Sequence, residues 1–393
     1  MSPDERFMAR ALTLARRARG CTSPNPMVGA VLVRDGQVIG EGWHRRAGGP
    51  HAEVEALADA ARRGNPVAGA TLHVTLEPCC THGRTPPCTD ALIRAGVARV
   101  VVGAVDPNPR HAGHGLELLR AAGIRVDSGV LEADALRLNE AFHHWIVHRT
   151  PWVTAKSAMT LDGRIATASG ESKWITGPAS RAHAHRLRLE ADAVLVGVET
   201  VLADDPELTP RSQPGFRLPA GLPVKRRIVL DTRARTPTGC RLVVGAARQD
   251  ALVVVGESAD PARVAGLESR VGVLRAPERQ GRIDLRWLMT ELGRLGVLHL
   301  LVEGGGTVLA SFFEDRLVHR TAFFYAPKVL GGQDSRRAVA GRGFRSLAEA
   351  PRLADVESRR FGEDLFVTAR VLPPEDSVGR TSPDAPRVAG GSG

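Results

Sequence analysis

Val74-Thr75-Leu76-Glu77-Pro78-Cys79-Cys80-Thr81-His82-Gly83-Arg84-Thr85-Pro86-Pro87-Cys88 is the stretch that decides how the first third of this chain folds. It opens on an apolar, β-branched run from Ala70 to Leu76 that reads as a strand. Pro78 stops the strand, and Thr89 to Ala95 reads as a short helix. Two cysteines therefore sit where a strand ends and helices begin. Helix N-termini favour the thiolate, which is the form that binds zinc. Upstream, His51-Ala52-Glu53 opens a helical run from about Ala52 to Arg63. Residues two apart do not share a helix face. His51 and Glu53 converge only if His51 stands at the head of the helix, which Gly48-Gly49-Pro50 makes possible. His51, Cys79 and Cys88 then supply three zinc ligands and leave the fourth tetrahedral position to water. Such a water becomes a nucleophile near neutral pH, and Glu53 is placed to carry its proton to a departing amine. Cys80 is not counted as a ligand, because a fourth thiolate would close the catalytic position.

Outward from this motif the pattern is strand and helix in alternation. Ser2 with Glu5 forms a capping box for a helix to about Arg19. Met27–Arg34 and Gln37–Trp43 are strand-like runs joined by Asp35-Gly36, a hairpin signal. Strands follow at Arg99–Ala104 and Ile124–Ser128, with a helix at Leu116–Ala122 and a closing helix from Glu132 to His148. The alternation implies an α/β/α layered sheet. Thr150-Pro151 breaks the last helix, and a second α/β series begins. Its strands read at Val153–Ser157, Ala193–Val198, Arg227–Asp231, Leu252–Val255 and Leu298–Val302, and its helices at Ser180–Ala191, Leu285–Leu295 and Val308–Phe313. Ala354–Val371 reads as paired strands, and 373–393, rich in Pro, Gly, Ser and Asp, as a disordered tail. The expected division is 1–149, 150–372 and the tail.

At 393 residues the chain is too long for one core. No stretch approaches the roughly 20 apolar residues of a membrane helix. The first twenty residues alternate apolar side chains with arginine, unlike a signal peptide, which places the protein in the cytoplasm. Five cysteines, three within ten residues, point to metal and not to a disulfide framework. The net charge is +10, but the arginines are spread along the chain, which argues against a nucleic-acid surface. Lysines are scarce: only Lys156, Lys173, Lys225 and Lys328 occur among 53 basic residues. Lys156, at the end of the first strand of the second half, therefore stands out.

No G-x-G-x-x-G opens a helix after a strand, so a standard Rossmann site is unsupported. Instead, a strand ending Leu301-Val302-Glu303 runs into Gly304-Gly305-Gly306-Thr307 and a helix. Glycines let a phosphate approach the backbone, and the free amides of a helix start bind it.

Zinc deaminases of nucleobases carry H-x-E followed by P-C-x-x-C. Here the second half is P-C-x8-C. With Ser23-Pro24-Asn25-Pro26-Met27-Val28-Gly29 and Gly42-Trp43-His44, the run from Val74 to Cys88 resembles the bifunctional deaminase–reductase family of riboflavin biosynthesis. The resemblance extends from about residue 4 to 371 through Lys156–Arg164, Ser169–Thr176 and Thr200–Pro206. The family usually has Ser at the position of Cys80. The resemblance implies an N-terminal cytidine-deaminase-like α/β/α domain and a C-terminal dihydrofolate-reductase-like α/β domain. It implies zinc-dependent deamination of 2,5-diamino-6-(5-phosphoribosylamino)pyrimidin-4-one, then NADPH-dependent reduction of the ribosyl group, giving 5-amino-6-(5-phosphoribitylamino)uracil. By the same resemblance, Asn25, His44 and Arg84 line the deaminase pocket. Ala158, Trp174, Thr200, Asp204, Thr232 and Gly305, Gly306, Thr307, Val308, Leu309, Ala310 and Ser311 contact NADPH. Ser172, Arg188, Leu208, Arg211 and Glu303 contact the substrate. Lys156 is read as a catalytic proton relay or substrate contact, and Arg233 as the group facing the 2′-phosphate. The expected partners are the small phosphoribosylaminopyrimidine and further copies of the chain, as a dimer or tetramer, with no nucleic acid and no membrane.

Two other readings remain open. One is a tRNA deaminase with a C-terminal RNA-binding module, against which stand 4% aromatics and a single tyrosine, Tyr325. The other makes the second half a non-catalytic scaffold.

Overall fold

The computed structural model describes residues 1–82, 86–245, 247 and 250–374. In chain order the elements begin α1 (Pro3–Ala15), β1 (Gly29–Arg34), β2 (Gln37–Trp43), α2 (Ala52–Arg62), β3 (Thr71–Leu76) and α3 (Cys88–Arg94). They continue with β4 (Arg99–Ala104), α4 (His114–Ala121), β5 (Arg125–Ser128), α5 (Glu132–Leu138), α6 (Glu140–His148), β6 (Trp152–Thr160), β7 (Arg164–Ala166) and α7 (Pro178–Glu190). Next come β8 (Ala193–Gly197), α8 (Val198–Asp204), β9 (Arg226–Leu230), α9 (Arg241–Val244), β10 (Ala251–Gly256), α10 (Pro261–Glu268) and β11 (Gly272–Ala276). The rest are β12 (Glu278–Arg279), β13 (Arg282–Ile283), α11 (Leu285–Arg294), β14 (His299–Val302), α12 (Gly306–Glu314), β15 (Arg320–Ala326), β16 (Arg336–Arg337), β17 (Leu353–Phe361) and β18 (Asp364–Val371). The expected tail lies outside the described residues beyond Pro374.

Two compact units form. One comprises Met1–Trp152 with Ala182–Leu301, and the other Val153–Arg181 with the chain from Val302 onward.

The first unit holds a five-stranded sheet in the order β2-β1-β3-β4-β5. Asp35-Gly36 turns the β1–β2 hairpin, with Asp35 and Gly36 both at positive φ. The later strands pair in parallel, as strand–helix–strand connections require. Leu32, Leu72, Leu92 and Leu119 are fully buried, and each contributes roughly 1.5–3 kcal/mol by leaving water. Gly42 lies directly under α2: a Cβ there would meet the Ala52 carbonyl oxygen at 2.3 Å. The same unit carries β8, β9, β10 and β11 as a parallel run, over a core that includes Val194, Val229, Val253 and Leu242.

The helix expected over Glu132–His148 is two helices. Asn139 breaks it with φ −121° and ψ 24°. Its side chain accepts the Met27 N–H at 2.8 Å and donates to the Met27 carbonyl at 2.9 Å. That reciprocal bond to a residue 112 positions away outweighs continuation of the helix.

In the second unit β6 runs parallel to β15, and β15, β18 and β17 follow in antiparallel pairs. Phe324 and Phe366 pack at 4.7 Å between ring centroids. The sequence patterns leave α8, α10, β11 and β15 unread, and all four are present.

Candidate active sites

His51 is the N-cap of α2 with extended backbone, φ −76° and ψ 164°. Its ring is thus released from the helical spiral and can meet the Glu53 side of the helix. β3 delivers Cys79 three residues past its end, and Cys88 is the first residue of α3. The Nδ1 of His51 lies 3.4 Å from Cys79 Sγ and 3.3 Å from Cys88 Sγ. One ligand atom from each of the three residues falls within 4.8 Å of the others. An imidazole and two thiolates at this spacing suit tetrahedral zinc with one position left over.

Glu53 is 3% exposed. Burial pushes its carboxyl up to about 7, and the Cys79 charge adds to the effect. The hydrogen bond from Cys88, followed by that from His51, holds the Cys79 thiol down at about 4. Sharing a hydrogen with that thiolate pushes Cys88 up.

His44 is 2% exposed and meets the His51 ring edge-on at 5.4 Å between centroids. Its Nδ1 is 2.9 Å from the Pro50 carbonyl oxygen, and its Nε2 is 3.1 Å from Asn25 Nδ2. A proton on Nδ1 makes Nε2 the acceptor of the Asn25 amide, so the two expected pocket residues are coupled. Arg84 lies outside the described residues. Glu77 received no role from the sequence. Its buried carboxylate accepts backbone N–H groups from Asp106 at 3.1 Å, Gly113 at 2.9 Å and Gly115 at 2.9 Å. An acid directly ahead of Pro-Cys at a strand end is the only signal that could have marked it. Cys80 Sγ lies 3.5 Å from His111 Nδ1, turned to a different partner from the ligand cluster.

In the second unit Lys156 and Ala158 share one face of β6. Lys156 Nζ stands 3.7 Å from Glu303 Oε2, the two side chains being 14% and 5% exposed. Gly304 and Gly305 adopt φ of 127° and 40°, which favour glycine. Nothing stands within 4 Å of where a Gly304 Cβ would point. The turn opens α12, nine residues long, so its geometry fits a dinucleotide phosphate. Within that run Gly305, Thr307, Val308 and Ser311 are reachable, whereas Gly306, Leu309 and Ala310 are buried. Ser172 and Trp174 lie in the segment before α7.

In the first unit Thr200 and Asp204 lie on α8, and Thr232 follows β9. Thr232 accepts the Gly256 N–H at 3.0 Å. These positions are at the carboxyl ends of parallel strands, where open α/β sheets place ligands. Arg233 is exposed. Arg188 donates to the Thr209 carbonyl at 3.3 Å, and Arg211 pairs with Glu207 at 3.5 Å. Leu208 is 2% exposed within the core, so only its backbone is available to a ligand.

Residues 1–104 match the cytidine and deoxycytidylate deaminase zinc-binding region, and residues 151–367 match the RibD C-terminal domain. The riboflavin biosynthesis protein RibD of Aquifex aeolicus is 43% identical over 93% of this chain and 97% of its own length. That of Escherichia coli K12 is 43% identical over 92% and 98%. The RibD structure of Acinetobacter baumannii superposes with a TM-score of 0.82 at 36% identity, covering 94% of this chain and 99% of that one. A Thermotoga maritima diaminohydroxyphosphoribosylaminopyrimidine deaminase/5-amino-6-(5-phosphoribosylamino)uracil reductase gives 0.79 at 36% identity, with coverage of 94% and 99%. Fold and site together define a bifunctional enzyme, a deaminase of the cytidine-deaminase class joined to a reductase of dihydrofolate-reductase-like fold. The chain belongs to the RibD family and acts as deaminase and reductase in riboflavin biosynthesis. The tRNA deaminase reading is not favoured. Among the described residues no helix is long and apolar enough to cross a membrane.

Proposed function

We propose that the chain deaminates 2,5-diamino-6-(5-phosphoribosylamino)pyrimidin-4-one at a zinc site formed by His51, Cys79 and Cys88. It then reduces the product with NADPH to 5-amino-6-(5-phosphoribitylamino)uracil. The observation that carries this reading is the convergence of three soft donors beside a buried carboxyl, Glu53. Zinc held there supplies Lewis acidity and a water acidic near neutral pH. Glu53, with its carboxyl near 7, takes the proton of the attacking water and returns it to the departing amine. Asn25, oriented by His44, holds the pyrimidine edge, and Arg84 faces the phosphate.

NADPH held by the second half would supply the hydride that reduces C1′ of the ring-opened ribosylamine. Gly305, Thr307, Val308 and Ser311, with Ala158, Trp174, Thr200, Asp204 and Thr232, would bind it, and Arg233 would recognise its 2′-phosphate. Glu303 and Ser172 bind ribose hydroxyls, while Arg188 and Arg211 hold the substrate phosphate. Lys156 supplies a proton to the opening sugar. The deaminase occupies 1–149 and the reductase 150–372, and the protein works in the cytoplasm as a dimer or tetramer. Incubation with the diaminopyrimidinone ribosylamine phosphate and NADPH, with ammonia and NADPH followed separately, tests the reading. Ammonia release ahead of NADPH oxidation is expected. Oxidation with no ammonia, or neither signal, would overturn it.

A further inference from the structure

Trp174 is 64% exposed, yet both its ring and its backbone are held. The Arg181 guanidinium, in the first turn of α7, sits 4.6 Å from the indole centroid. The same side chain donates to the Thr176 carbonyl at 2.7 Å. Lys328, just past β15, donates to the Trp174 carbonyl at 2.8 Å. The Gly177 N–H donates to Asp364 Oδ2 at 2.8 Å, and Asp364, at the start of β18, is 4% exposed. A short loop is thus tied by two cations and a buried carboxylate, while the largest apolar side chain it carries is left facing water.

An indole in water forfeits its hydrophobic gain unless a partner covers it. Holding it rigid removes most of the ordering cost when that partner arrives. One ring face is occupied by the guanidinium, which leaves the other for a flat ligand. We propose that Arg181 and Lys328 are positioning residues that hold Trp174 as a rigid stacking surface for a planar ring of the dinucleotide. This rests on the NADPH reading above. Neither residue needs to touch the cofactor. Arg181 acts through the indole and Thr176, and Lys328 acts through the Trp174 carbonyl.

The test uses the full zinc-loaded chain. NADPH affinity is titrated by nicotinamide fluorescence, and amide hydrogen exchange is followed over residues 172–178 without cofactor. In Arg181→Ala the dissociation constant should rise about tenfold. Exchange over the loop should quicken, and turnover at saturating NADPH should stay near the wild-type value. Arg181→Lys should recover part of the affinity, because it keeps the cation but not the planar stack. A thermal melt matching the parent's reports that each variant is folded. If Arg181→Ala fails that control, Lys328→Met decides, since its side chain is exposed. Wild-type affinity in the folded variants overturns the proposal. Weakened affinity with unchanged exchange also overturns it, because the side chain would then be a direct contact. A wild-type chain that binds no NADPH overturns the cofactor reading itself, a result distinct from either.

Discussion

Cys88 donates its backbone N–H to the Sγ of Cys79 at 3.4 Å. The residue carrying one ligand thus stabilises negative charge on the other, before any cation is present. Cys79→Ala or Cys88→Ala should cut zinc from about one per chain to a small fraction. Metal analysis after gel filtration checks this. Full zinc in both variants would show that the ion sits elsewhere.

Glu53→Gln should keep its zinc and lose ammonia release by roughly 10²–10⁴-fold, the range for removing a positioned acid–base group. The same variant should still oxidise NADPH with pre-deaminated substrate at the wild-type rate. A folded variant that fails at both would mean that the two activities do not divide between the two halves of the chain.

Lys156 and Glu303 form a largely buried ion pair. Lys156→Met takes away that cation and the proposed proton source, so reduction should slow by about 10²-fold or more. Ammonia release should not change. The double variant Lys156→Met/Glu303→Gln should be no slower than the sum of the single effects, read from single-turnover NADPH oxidation.

Asp4 should make the fold acid-sensitive. Two hydrogen bonds from Arg99, at 2.9 and 2.8 Å, hold its carboxyl down at about 2. An unfolded Asp titrates near 3.9, so the unfolded chain binds the proton first as pH falls. The stabilisation is complete above about pH 4 and disappears as pH drops through about 2. Asp4→Asn should cost about 1 kcal/mol at pH 7, allowing for partial exposure. The gap between variant and parent should close below pH 3 in denaturant titrations. A gap independent of pH would assign the effect to packing.

The zinc motif was legible because its chemistry is local: Pro78 ends the strand, and Gly48-Gly49-Pro50 frees His51 from the helix. The Asp35-Gly36 hairpin was legible for the same reason. The break at Asn139 was not, since no glycine or proline marks it and the cause, Met27, is 112 residues away. Strand β15 carries the run Arg320-Thr321-Ala322-Phe323-Phe324-Tyr325-Ala326, whose apolar residues show no alternation. A strand flanked on both sides by others in a sheet has that pattern, and periodicity cannot separate it from a buried helix. Helix α8 starts with β-branched Val198, directly continuing the β8 pattern. The role of Glu77 was not legible beyond its place ahead of Pro-Cys, because its partners are backbone amides, which every residue except proline carries.

Gly42 sets the placement of the proposed zinc ligand His51. Since the main chain of α2 comes this close to Gly42, the height of His51 above the sheet depends on the absence of a side chain at that position. One added methyl group at Gly42 would meet the Ala52 carbonyl oxygen at 2.3 Å and the Ala56 nitrogen at 2.4 Å, and so would lift the head of the helix. Randomising Gly42 and Gly36 in parallel should therefore return very different survivors. Glycine alone should persist at 42, while 36, open to solvent with φ 72°, should accept asparagine and aspartate as well.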